Sequence, residues 1–179
     1  RGNATVYTYD ELSRLAGVKN ALEEITRYAY DANGNMLEQT DGKGNTISYE
    51  YNAMNKVARK IDPGGRTGAP GSYAYEPSKV ESCTYDADGS LKTKTDRNGN
   101  TAHYTYDVHG RPLNQTINEN AISYTYDGAG NQLTMTDSTG ATVRTYDELG
   151  RVLTKDVPDI GASIFQYDII EGVEAGCVK

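Results

Sequence analysis

Apolar and polar residues alternate along this chain in short runs, each of which ends in Asp, Asn or Gly. Alternation at a period of two sends successive side chains to opposite faces of a strand, so the pattern predicts strands joined by tight turns. The pattern also recurs. Tyr-Asp stands at Tyr9-Asp10, Tyr30-Asp31, Tyr85-Asp86, Tyr106-Asp107, Tyr126-Asp127, Tyr146-Asp147 and Tyr167-Asp168, with Tyr51-Asn52 as a variant. The intervals are 21, 21, 34, 21, 20, 20 and 21 residues. Two positions before most of these lies a second ring, at Tyr7, Tyr28, Tyr49, Tyr104, Tyr124 and Phe165; Cys83 and Arg144 replace it in two units.

Rings two apart share one face of a strand, and the Thr between them, as at Thr84, Thr105, Thr125 and Thr145, lies on the other. Four residues after the Tyr comes Gly, at Gly34, Gly89, Gly110, Gly130 and Gly150. Asp hydrogen-bonds the backbone two residues on, and Gly supplies the positive φ of a hairpin loop with a bulge. Each Tyr-Asp-x-x-Gly therefore predicts a strand followed by a turn. The return segment opens on an aliphatic pair, as in Met36-Leu37 and Val152-Leu153, and runs to a second turn such as Asp41-Gly42-Lys43-Gly44 or Asp96-Arg97-Asn98-Gly99. Two strands and two turns per repeat give an all-β, antiparallel hairpin meander of roughly 14 to 16 strands, open and single-layered, with no crossover helix. The stretch from Glu11 to Arg27 has a helix-like spacing of Leu12, Leu15, Leu22 and Ile25, but the 21-residue period runs through it and argues for sheet. The expected organisation is thus tandem repeats over 1–168, about eight registers beginning near the eight tyrosines above. A loop is inserted at about 64–81, and an irregular tail follows at 169–179.

Composition sharpens this picture. Leu, Ile, Val and Phe are only 29 of the 179 residues, too few for a two-layer aliphatic core, whereas 13 of the 15 tyrosines fall in the repeat frame. A tyrosine ring covers about 150–250 Å² while its hydroxyl stays in water, which suits a thin sheet wetted on both faces. Stability then accumulates from one repeat to the next. The net charge of −7 repels phosphate backbones and anionic lipid, which disfavours nucleic acid and membrane insertion as partners. The pattern is already under way at Arg1, so the chain reads as a piece of a longer array, with two open edge strands that could pair edge to edge with another copy.

The frame Y-x-Y-D-x-x-G-x-x-L at about 21 residues, sustained from about Tyr7 to Asp168, resembles the RHS/YD-repeat family. That family includes bacterial RHS polymorphic toxins, Tc toxin shell subunits, wall-associated YD-repeat proteins and the teneurins. The resemblance implies a hairpin strip that spirals into a hollow shell, secreted or at the surface of bacteria, which in the toxins encloses a C-terminal toxic domain. It makes flanking repeats, and such a domain, the expected partners. The family's cleavage element, Asp-Pro-x-Gly-Leu, is matched only in part by Asp62-Pro63-Gly64-Gly65, since Arg66 stands where Leu belongs and further repeats follow. It reads as a turn.

Candidate chemistry is sparse. The in-register aspartates suggest a calcium ladder, but a calcium loop opening at Asp86 or Asp96 would need Gly at its sixth position, where Leu91 and Thr101 stand. They read as turn caps. His103 and His109 lack ligands or nucleophiles at motif spacing. The insertion offers Arg66, Tyr73, Tyr75, Glu76 and Lys79 without a nucleophile and base. Cys83 and Cys177 suggest no disulfide framework. No catalytic, metal or cofactor site is expected, and the residues that matter are structural: Tyr9, Asp10, Tyr30, Asp31, Gly34, Tyr51, Asn52, Tyr85, Asp86, Gly89, Tyr106, Asp107, Gly110, Tyr126, Asp127, Gly130, Tyr146, Asp147, Gly150, Tyr167 and Asp168. Ring faces also stack on sugars, so the alternative function is a carbohydrate- or protein-binding adhesion module that uses the tyrosine face, with Tyr104 and Tyr124 as the candidate ligand positions.

Overall fold

A computed structural model describes residues 4–170 and 173–175, with side chains for residues 4–167. The chain divides into two compact units after Thr101. In the first, β1 (Val6–Tyr9), β2 (Leu15–Lys19), β3 (Ile25–Tyr30), β4 (Met36–Thr40), β5 (Thr46–Tyr51) and β6 (Val57–Ile61) each pair antiparallel with the next strand. The helix-like spacing at residues 11–27 is sheet, as the period requires.

After β6 the chain leaves the ladder. The insertion forms its own hairpin, β7 (Arg66–Thr67) against β8 (Ala74–Tyr75), and then one 3₁₀ turn, Pro77–Lys79. The ladder resumes with β9 (Val80–Tyr85), which pairs directly with β6, and β10 (Leu91–Thr95). Ile61 faces Val80, so the insertion bulges out of the sheet without breaking the order of strands.

The second unit holds β11 (Thr101–Tyr106), β12 (Pro112–Ile117), β13 (Asn120–Tyr126), β14 (Gln132–Asp137), β15 (Gly140–Tyr146), β16 (Val152–Val157) and β17 (Gly161–Ile164), again each pairing with the next. Beyond Tyr167, where an irregular tail is expected, the backbone of β18 (Asp168–Ile170) pairs with β19 (Val173–Ala175) as a separate two-stranded ladder. The side chain of Asp168 and all of Cys177 lie outside the described residues.

Both units are antiparallel meanders, and each is a single layer except under the insertion. There the hairpin folds back over β4 to β6 on the face opposite Tyr49 and Tyr51. Arg66 pairs with Glu38 at 2.9 Å, and Tyr75 donates to Glu50 at 2.5 Å. Glu50 also pairs with Arg59, whose guanidinium lies 4.9 Å from the Tyr75 ring centre. Beneath this cover sits Ile61, 1% exposed and the only large side chain fully buried among the described residues. Gly65 lets the cover close. A Cβ there would stand 2.9 Å from the Ile61 Cγ2 and 2.9 Å from the Lys79 Cβ. Arg97 anchors the start of the insertion by pairing with Asp62, and it also pairs with Glu81.

Candidate functional site: the joint between repeats

The unit of construction is the Tyr-Asp turn. In the turn after β3, the Gly34 N–H donates to the Asp31 carbonyl at 3.2 Å and the Asp31 N–H donates to the Asn35 carbonyl at 2.9 Å. Gly34 has φ +89°, in the left-handed region that glycine enters without strain. The same register shift falls just before Tyr9, Tyr30, Tyr51, Tyr106, Tyr126 and Tyr146, so the bulge is part of the repeat. Asp31 Oδ1 accepts from the N–H groups of Asn33 and Asn35, and its Oδ2 accepts from the Asn35 side chain at 2.8 Å.

Asp10, Asp107 and Asp147 bond backbone N–H groups two and four residues on in the same way, and Asp127 bonds the N–H of Asn131. Asn52 accepts from Met54 and Lys56, with no charge. One unit departs: Asp88 caps Ser90, while Asp86 turns to Lys92 at 3.2 Å. Where the expected glycine is missing, Ser13 and Asn55 take the left-handed conformation themselves, at φ +61° and +57°.

These bonds hold the carboxylates ionised. The Asn35 side chain, followed by backbone N–H groups, lowers the pKa of Asp31, and Asn131 does the same for Asp127. For Asp10 the Arg14 N–H leads. At Asp107 and Asp147 desolvation pulls upward, and the backbone and side chain of Arg111 and Arg151 outweigh it.

The sequence predicts tyrosine hydroxyls left in water; the structure places them otherwise. The hydroxyl of Tyr30 donates to the Leu15 carbonyl at 3.0 Å, Tyr51 to Met36 at 2.9 Å, and Tyr85 to Val57 at 2.9 Å. In the second unit Tyr126 donates to Pro112 at 2.8 Å, Tyr146 to Gln132 at 2.7 Å and Tyr167 to Val152 at 2.9 Å. Each acceptor lies six residues after the tyrosine of the preceding repeat, at the bulge. A bulge interrupts the ladder and frees a carbonyl, and the next tyrosine satisfies it. Burial raises the pKa of Tyr51, Tyr85 and Tyr126, which keeps these hydroxyls protonated as donors.

A second contact strengthens the joint. Five residues after Tyr9, Tyr106 and Tyr146 stand Arg14, Arg111 and Arg151, each paired with the aspartate of its own turn at 2.6–2.7 Å. Their guanidinium groups lie 4.8, 4.6 and 4.6 Å from the ring centres of Tyr30, Tyr126 and Tyr167 in the following repeat. Arg14 Nη1 also reaches the Asp31 carbonyl at 2.8 Å. One arginine thus ties a turn to itself and to the next repeat. The recurrence of Arg at this offset was visible in the sequence; the offset itself was the missed signal. On the opposite face Thr84–Thr93, Thr125–Thr134 and Thr145–Thr154 form hydroxyl pairs at 2.6 Å across strands.

The other candidates are quiet. Tyr104 and Tyr124 are half-buried, paired across strands with Gln115 and Met135. Tyr106 is half-buried in β11. Cys83 is a half-buried free thiol. Among the described residues no group of His, Cys, Asp and Glu could hold a metal ion, and no helix is long and apolar enough to cross a membrane.

The repeat has counterparts of known identity. The chain is 27% identical over 121 residues to the tRNA nuclease WapA of Bacillus subtilis, covering 62% of this chain and 5% of that protein. It is 28% identical over 110 residues to the double-stranded DNA deaminase toxin A of Burkholderia cenocepacia, 62% of this chain and 7% of that one. The chain therefore spans only a small part of these relatives. Among solved structures it resembles the TcdB2-TccC3 protein, with a TM-score of 0.66 and 16% identity over 84% of this chain and 9% of that one. The Photorhabdus luminescens Tc holotoxin pore matches with a TM-score of 0.58 and 20% identity over 74% of this chain and 7% of the other. At these identities the likeness is one of fold. The RHS Repeat model matches residues 9–46, 30–67, 85–121 and 126–159, and on that match the chain belongs to the RHS repeat family.

Proposed function

We propose that this chain is a non-catalytic wall segment of a large secreted or surface protein of a bacterium, one stretch of a shell around a toxic effector carried elsewhere in the same polypeptide. The observation that carries the reading is the joint. The hydroxyls of Tyr30, Tyr51, Tyr85, Tyr126, Tyr146 and Tyr167 bond the bulge carbonyl of the repeat before, so a repeat is completed by its neighbour and the array extends by adding flanking repeats. The toxins among its relatives, of which the chain covers 5–7%, support a structural part within a larger toxin.

The test is made on the full-length parent protein. Electron microscopy should show a hollow particle, and limited proteolysis should leave the effector domain intact for far longer than the same domain alone. Equal cleavage rates, or an extended particle without a lumen, would overturn the reading. The adhesion alternative draws less support, because the half-buried rings of Tyr104 and Tyr124 leave little free face for a sugar.

A further inference from the structure

The two units differ on the face opposite the tyrosines. In the first, the register sets Arg27, Glu38, Glu50 and Arg59 on that face, and the insertion covers part of it with matching polar groups, Arg66 on Glu38 and Tyr75 on Glu50. In the second, the strand positions on the same face from β12 to β17 hold one charged residue, Asp156; the others are Thr, Ser, Asn, Ala, Val and Ile. Asp156 is next to last in β16, at the end far from the tyrosine turns.

The half of this face nearer those turns is apolar and open. Val143 is 41% exposed, Leu149 62%, Leu153 38% and Ile164 69%. Leu133 and Leu149 line a groove there with Thr145, and Leu153 holds the same bulge position as Leu133 one repeat on. The hydroxyls of Thr125 and Thr134 bond each other at 2.6 Å, as do those of Thr145 and Thr154. A covering layer therefore meets hydroxyls that already have partners, and burying them costs less than burying free ones.

Apolar side chains exposed together on one face mark an interaction surface, and charge, chemistry and size point to what covers this one. With a net charge of −7 two copies of the chain repel at range, so they approach best through a face nearly free of charge. A neutral face of hydroxyl and aliphatic groups complements itself, as an isologous two-fold contact requires. Six strands about 4.8 Å apart and about 17 Å long present roughly 500 Å², so two copies bury about 1,000 Å², the lower bound for a specific but weak interface. We propose that two copies of this chain associate face to face through the threonine and aliphatic face of β12 to β17, forming a two-layer sandwich over Val143, Leu149, Leu153 and Ile164. The second copy does for the second unit what the insertion does for the first. The inference stands apart from the shell, since the contact needs only this chain.

The experiment is analytical ultracentrifugation of the whole chain from about 1 to 500 µM at about 0.15 M salt. A monomer–dimer equilibrium is the expected result, weakened about tenfold or more by Val143→Lys, which sets two like charges in the contact. Ser163→Lys, on the tyrosine face of β17, should leave it unchanged. Circular dichroism checks folding, and Leu149→Lys, in an exposed turn, carries the test if Val143→Lys does not fold. A chain that stays monomeric throughout overturns the proposal. So does association that survives both face lysines, which places the contact at the strand edges or on the tyrosine face, and so does association lost equally with Ser163→Lys.

Discussion

The strands around the insertion and the uninterrupted repeats of the second unit solve the same problem by different means. A one-layer sheet exposes both faces, and the 29 aliphatic and Phe residues cannot cover them. Around β6 the chain spends its extra residues on a cover: a small hairpin fastened by Arg66–Glu38 and Tyr75–Glu50 buries Ile61 completely. Among the described residues the repeats from β12 to β17 have no such cover. Their cohesion comes from hydroxyl-to-bulge bonds, arginines shared between a turn and the next ring, and threonine pairs on the far face. The lesson is that periodic polar joints replace a core where no second layer exists.

The largest effect should therefore fall under the cover. Ile61→Ala removes the one fully buried large side chain among the described residues and should cost about 2–5 kcal/mol, read as a lower denaturant midpoint. The same truncation at Val143, exposed on β15 at 41%, should change the midpoint little. Equal costs would erase the distinction between the two regions.

Next come the joints. Tyr51→Phe and Tyr126→Phe each delete one hydroxyl and orphan one bulge carbonyl, at a cost of about 0.5–1.5 kcal/mol. The loss should be larger at Tyr51, whose bond to Met36 is partly buried, than at Tyr126, whose bond to Pro112 is open to water. Urea unfolding of the two variants checks the order. A neutral effect at both would show that the rings act through their area alone.

Much of this was legible in the sequence for a physical reason: a strand period of two and a turn that demands Asp and Gly at fixed offsets leave marks that survive variation. The direct β6–β9 pairing was not legible, because nothing local in residues 62–79 tells the ladder where to resume. Nor were the hydroxyl acceptors, since a carbonyl carries no sequence signature and only the bulge frees it. At the candidate ligand position Tyr124, pattern alone set the ring on a face; its half-burial depends on neighbours the period does not specify.

A smaller effect tests the turns of the first unit. Ser13 stands in the left-handed region where the repeat elsewhere uses glycine, and an L-residue is strained there. Ser13→Gly should stabilise by about 0.5–1 kcal/mol, the relief of strain exceeding the entropy glycine adds to the unfolded chain. Asn55→Gly should gain less, because Asn tolerates this conformation. Thermal melts of the two variants give the comparison.

The smallest effect is local and depends on pH. Asp31, Asp107, Asp127 and Asp147 have pKa values below the ordinary 3.8, whereas the Asn52 turn makes the same backbone bonds with a neutral amide. A carboxylate lowered by folding adds stability that is complete above its unfolded pKa and is lost as the pH falls through the folded value. The N–H signals of Asn33 and Asn35, which Asp31 accepts, should therefore shift on acidification with a midpoint below 3.8. Those of Met54 and Lys56, bonded to Asn52, should stay in place over the same range. If they titrated together, the acid response would belong to the whole sheet; if they separate, each turn is capped by its own side chain, and the substitution Asn52→Asp would bring the exception into line.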